Sequence, residues 1–181
     1  MATMILLPDG TGAGASADWV AVGSATRHEC LEDDNGSTSY VRCSVLNSQM
    51  IIEFANPSVV ESKIASIDSV SFQSSGKSIH RTNPSVVVIS YEVPSGNVSQ
   101  TCSYDAHRTN YETIIGTPKV YSDGPGATAW TYSDLESLEM KCTKGIGVGL
   151  GHGVNLSYLA LIVTYTEAEA ADNATFFGAN F

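Results

Sequence analysis

Charge is scarce in this chain. Charged residues make up 15% of its 181 residues, against roughly 25% in an ordinary globular protein. Cations are the scarcer sign. Nine Lys and Arg stand against 19 Asp and Glu, a formal net charge of −10. So few cations argue against a nucleic-acid binder, whose affinity comes largely from neutralised phosphates. They also argue against an anionic membrane surface as partner. Long apolar runs are missing: none reaches the roughly 20 residues of a transmembrane helix. The start, Met1-Ala-Thr-Met-Ile-Leu-Leu-Pro8, has no basic segment and a short apolar core, so no secretory signal is expected there. The four cysteines, Cys30, Cys43, Cys102 and Cys142, lack metal-finger spacing. They are expected to be reduced thiols. The sequons at Asn35, Asn97, Asn155 and Asn173 are then chance matches in a Ser- and Thr-rich chain.

Catalytic signatures are missing too. Gly145-Ile-Gly-Val-Gly-Leu-Gly-His-Gly153 has the glycines of a phosphate loop, but no Lys-Ser/Thr and no helical pattern follow it. Its strict alternation puts five glycines on one face of an edge strand or packed loop. Glu32-Asp-Asp-Asn-Gly-Ser37 has the carboxylates of a calcium loop without the alternating ligand spacing, and reads as a solvated acidic loop. His28, His80, His107 and His152 are scattered, with no metal-ligand spacing. His28 and Cys30 would share a face only if that segment were a strand. Asp33 with Asp34, and Glu136 with Glu139, are carboxylate pairs of the kind an acidic chain holds by chance. No Gly-x-Ser-x-Gly elbow exists. No catalytic centre, metal or cofactor is expected.

Alternation of period two is what the chain has in abundance. In Leu156–Thr166, Leu159, Leu161, Val163 and Tyr165 fall on one face, and Tyr158, Ala160, Ile162 and Thr164 on the other. That pattern, apolar on both sides, predicts an interior strand. Val86–Val93 is a second. Val41, Cys43 and Val45 mark another strand, then Met50, Ile52 and Phe54 after an Asn47-Ser48 turn. Val70 with Phe72 marks one more. Pro94-Ser-Gly-Asn97 turns Val86–Val93 into a hairpin with Val98–Tyr104. Weaker runs lie at Tyr111–Thr117 and Lys119–Tyr121. Two short helical turns are expected: one after Asn56-Pro57, one from a Ser133-x-x-Glu136 capping box. Many short strands without long helices predict an all-β fold, an antiparallel β-sandwich of jelly-roll type, over residues 18–166. Residues 1–17, with Asp9-Gly-Thr-Gly-Ala-Gly-Ala-Ser16, read as a flexible N-terminal arm. Residues 167–181 read as a C-terminal tail.

That tail ends in Phe176, Phe177 and Phe181, aromatics too apolar to stay in water without docking. With Trp19 and Trp130 they are the candidate interface residues. A low-charge β domain with an edge-like glycine strand points to a homo-oligomer, a trimer above all, that hides its sheet edges.

Asp18-Trp19, Leu31-Glu-Asp-Asp-Asn-Gly-Ser-Thr-Ser-Tyr40, Gly124-Pro-Gly with Ala129-Trp-Thr131 and Leu135, and the closing Val163-Thr-Tyr165 lie along residues 18–165. In these segments the chain resembles jelly-roll structural proteins from the virions of tailed bacteriophages. The resemblance implies a non-enzymatic virion component. It implies a decoration or cement protein that binds and stabilises the lattice of a major capsid protein, on the capsid surface. The alternative is a tail-fibre or receptor-binding module that recognises host-surface carbohydrate. A non-viral carbohydrate-binding or structural β-sandwich is the third reading.

Overall fold

The computed structural model describes residues 1–32, 38–79, 84–93, 96–105, 110–120, 129–145 and 153–169. In chain order its strands are β1 (Ala2–Leu6), β2 (Pro8–Thr11), β3 (Val20–Val22), β4 (Tyr40–Cys43), β5 (Gln49–Phe54), β6 (Ile64–Ser78), β7 (Ser85–Val93), β8 (Gly96–Tyr104), β9 (Glu112–Ile115), β10 (Lys119–Val120), β11 (Glu139–Lys144) and β12 (Val154–Glu167). The larger sheet has the order β10-β6-β12-β4-β3, with β1 also on β12 and β9 also on β6. The smaller sheet runs β2-β5-β11-β7-β8. Every pairing is antiparallel. The chain passes from sheet to sheet repeatedly, and the fold is the all-β sandwich of jelly-roll type that the alternation predicts.

Inner faces meet in one core. Val70 and Phe72 of β6, Leu159, Leu161 and Val163 of β12, Met50 and Ile52 of β5, Val87 and Ile89 of β7, and Met140 and Cys142 of β11 are buried there. Each large apolar side chain so placed contributes about 1.5–3 kcal/mol relative to exposure. Polar bonds join the sheets across this core. Tyr91 of β7 donates its hydroxyl to the Val70 carbonyl at 3.1 Å, and the Tyr104 and Ser74 hydroxyls meet at 2.8 Å. Beyond Phe72 the inward positions of β6 are small, and Tyr104 explains why. A β-carbon on Gly76 would stand 2.7 Å from Tyr104 Cε1 and 2.8 Å from Leu156 Cδ2.

All four cysteines are buried free thiols. Burial raises the pKa of Cys43, Cys102 and Cys142, that of Cys102 to about 11. Such thiols are poor nucleophiles at neutral pH.

Three expectations need correction. Residues 1–17 are not a free arm. β1 pairs with β12 from Ala2↔Tyr165 to Leu6↔Leu161, and β2 pairs with β5. Met4 and Leu6 point into the core, 5% and 2% exposed. The glycines that resemble a linker serve close packing instead: a β-carbon on Gly12 would lie 2.5 Å from Ile51 Cγ2. The second helical turn, α1 (Tyr132–Glu136), is capped two residues earlier than expected. Thr131 Oγ1 accepts from the Asp134 N–H, and the Asp134 carboxylate accepts from the Thr131 N–H at 2.6 Å. The first is a 3-10 turn at Glu61–Lys63 with no side-chain cap, so Asn56 does not start it.

Deleting residues 1–7 therefore strips the β1 ladder from β12 and removes Met4 and Leu6 from the core. We predict a loss of about 3–6 kcal/mol, measured by urea denaturation, from those two side chains alone. A free arm would leave the midpoint unchanged.

Candidate functional site

The outward face of the larger sheet gathers aromatic and polar side chains from five strands. Alternation sends Ser69, Ser71, Gln73, Ser75 and Lys77 of β6 outward, because Val70, Phe72, Ser74 and Gly76 face the core. On β12, Tyr158, Ala160, Ile162 and Thr164 pair with the outward β6 positions Ser75, Gln73, Ser71 and Ser69. A bulge at Ser157 lies between Leu156 and Tyr158. The extra residue keeps Leu156 inward with Leu159 and places both Asn155 and Tyr158 outward.

Register then aligns two rows. In the first, Val20 of β3 pairs with Arg42 of β4, Arg42 with Asn155 of β12, and Asn155 with Lys77 of β6. Arg42 Nε donates to Asn155 Oδ1 at 3.1 Å. Arg42 Nη2 donates to the Tyr40 hydroxyl at 3.1 Å, and the guanidinium lies 5.4 Å from the Tyr40 ring centre. Lys77 Nζ stands 4.5 Å from the Tyr111 ring centre. Such cation–π contacts contribute about 0.5–1 kcal/mol at exposed sites. In the second row, Val22 of β3 pairs with Tyr40, Tyr158 with Ser75, and Ser75 with Thr113 of β9. Tyr40, Tyr111 and Tyr158 are all half-buried.

Ser75 lies at the floor of this arrangement, 1% exposed. Among the described residues its Oγ finds no hydrogen-bond partner. A buried hydroxyl without a partner costs free energy. Two tyrosines flank its row, and the Lys77 ammonium lies on the next. The face thus offers ring surfaces for stacking and N–H and O–H groups for hydrogen bonds, held on rigid strands.

The other candidates do not assemble. Trp19 is fully buried and donates its indole N–H to the Ser48 carbonyl at 3.2 Å. Trp130 is 5% exposed. Both tryptophans belong to the core of this chain, and burial this deep leaves neither ring open to a partner. Phe176, Phe177 and Phe181 lie outside the described residues, as do Asp33 to Ser37, His80, His107 and residues 146–152 of the glycine-rich stretch. Gly145 and Gly153 are bonded into the sheets, through Val86 O and Ser85 Oγ. His28 and Cys30 sit in a turn, not a strand, and Cys30 donates to the Val22 carbonyl. Among the described residues no group of three or more His, Cys, Asp and Glu is placed to hold a metal. Asn155, in the first row, is 3% exposed, so its sequon is closed to modification. Lys144 is buried at one end of the core, where its ammonium donates to the Gly145 carbonyl at 2.7 Å. Desolvation lowers its pKa.

No family model and no curated protein matches the chain. Solved structures do. A family 16 carbohydrate-binding module is similar at a TM-score of 0.44 and 12% identity, over 84% of this chain and 90% of that one. A family 11 carbohydrate-binding module from Clostridium thermocellum, in complex with a β-1,3-1,4-mixed-linked tetrasaccharide, is similar at 0.39 and 11%, over 88% and 87%. An arabinose-bound α-L-arabinofuranosidase is similar at 0.43 and 12%, over 87% of this chain and 26% of that one. At this level of likeness they do not decide what this chain binds.

The unpartnered hydroxyl makes a direct prediction. Ser75→Ala removes a buried polar group that has no bond to lose, so it leaves stability unchanged or raises it by up to about 1 kcal/mol. Thermal and urea unfolding check this. A loss of more than about 1 kcal/mol would mean that Ser75 is bonded within the free protein.

Proposed function

We propose that this chain is a non-catalytic recognition module that holds a glycan on the outward face of its larger sheet. One observation carries the reading: Tyr40, Tyr158 and Tyr111 share that face with Arg42, Asn155, Lys77 and the unpartnered Ser75. Sugars present apolar C–H faces ringed by hydroxyls. Tyrosine suits them because its ring is apolar and its hydroxyl is a polar handle. The cationic side chains supply donors to the hydroxyls, with the Asn155 amide orienting Arg42. Strands hold these groups more precisely than loops would. Host-surface carbohydrate is the source that fits the resemblance to virion proteins.

A second reading is favoured by a different part of the same face. Ile5 and Ile115 are 53% and 63% exposed. They lie on either side of Ile162 and the small residues Ala160 and Ser71. Exposed isoleucines fit a contact with protein, as a decoration protein would make with a capsid lattice or with its own copies.

Affinity electrophoresis of the full chain through gels loaded with polysaccharides tests the first reading. Retardation is expected, with Tyr158→Ala and Tyr111→Ala each weakening it about tenfold, the loss of roughly 1.4 kcal/mol. Ile5→Ser should leave it intact. Retardation by none of a panel of neutral and acidic polysaccharides would overturn the glycan reading. Loss of particle association or self-association in Ile5→Ser would support the second.

A further inference from the structure

We propose that the sugar held on this face is anionic, carrying a carboxylate or a sulfate ester, and that Arg42 and Lys77 receive the negative group. The inference rests on the glycan reading and names the chemical class of its ligand.

The charge balance motivates it. The chain has nine cationic side chains and a net charge of −10. What sets Arg42 and Lys77 apart from the other cations is that they share one row of this face. Among the described residues their partners are neutral: Asn155 Oδ1, the Tyr40 hydroxyl, and the ring faces of Tyr40 and Tyr111. The nearest acidic residue by register is Glu112, opposite Gly76. Its carboxylate accepts the backbone N–H of Asp105 at 2.9 Å.

Both cations are also positioned. They sit two strands apart in one row, on either side of Asn155. Arg42 spends two of its five N–H donors on Asn155 and Tyr40. Those bonds fix the plane of the guanidinium and leave its remaining donors unassigned. A planar fork of that kind matches a carboxylate or sulfate better than it matches a hydroxyl. Lys77 adds a point charge beside Tyr111. A neutral sugar would use the tyrosines and have no need of two cations in one row. An anionic sugar uses the whole row.

The test uses the full chain and matched probes: polygalacturonate against its fully methyl-esterified form, and dextran sulfate against dextran. Binding is measured by affinity electrophoresis and by calorimetry at low and high salt. Binding to one acidic probe at least tenfold tighter than to its neutral counterpart is expected, and it should weaken as salt rises. The acidic probe that binds distinguishes carboxylate from sulfate. Arg42→Gln with Lys77→Gln should abolish the preference; a native circular-dichroism spectrum and a cooperative unfolding transition, its midpoint lowered only modestly by the lost hydrogen bonds and cation–π contacts, show that the fold is intact. Equal binding to charged and neutral forms, or a preference untouched by the double substitution, would overturn this inference and leave the glycan reading standing. Binding to none of the four probes, with a different neutral polysaccharide bound, would also overturn it. Binding to no polysaccharide at all would overturn both.

Discussion

The ladder between β6 and β12 is the constraint on which the rest of this molecule depends. It runs from Val154↔Ser78 to Glu167↔Ile64, the full length of the larger sheet. Both strands are flanked on their other edges, β6 by β9 and β10 and β12 by β1 and β4. Register in a two-faced strand is unforgiving, since a slip of one residue exchanges core and surface side chains. Here the core face supplies Val70, Phe72, Leu159, Leu161 and Val163. Hydrophobic burial therefore fixes the register, and the register in turn fixes what the outward face displays.

The bulge at Ser157 is where that constraint meets the candidate site. Without it, strict alternation would put Leu156 and Tyr158 on one face together. With it, Leu156 stays in the core beside Gly76, and Asn155 and Tyr158 both turn outward. The two rows of the recognition face are thus a consequence of core packing as much as of their own side chains. The tolerance of β6 for Ser74, Gly76 and Ser78 on its inner side has the same origin, because Tyr104 needs the space and bonds to Ser74.

Much of the fold is legible in the residues themselves. The two-sided apolar runs of β7 and β12 announce interior strands, and both are interior. Met50, Ile52 and Phe54 announce the buried face of β5, and all three are buried. What escapes a linear reading is whatever depends on close approach. Glycines 10, 12 and 14 resemble a linker, yet the segment holding them packs against Ile51 and Glu53. Most of β6 is hidden too, because a strand that faces a tyrosine with serines has no apolar signature. The site is the least legible part. Tyr40 and Arg42, Lys77, Asn155 and Tyr158, and Tyr111 come from four separated segments, and only pairing brings them together. The one local trace is that alternation puts Tyr158 on the face opposite Leu159, Leu161 and Val163. Trp19 and Trp130 suggest an interface by their size, but size favours burial, and both are inside.

The central claim is that register, fixed by the core, builds one recognition face on the larger sheet. The most direct measurement is a backbone amide chemical-shift map of the isotopically labelled full chain, titrated with the polysaccharide fragment that binds best. The account predicts the largest shifts at Tyr40, Arg42, Ser75, Lys77, Thr113, Asn155 and Tyr158. Shifts concentrated instead on the outward face of the smaller sheet, at Ile51, Lys141 and Thr143, would contradict it.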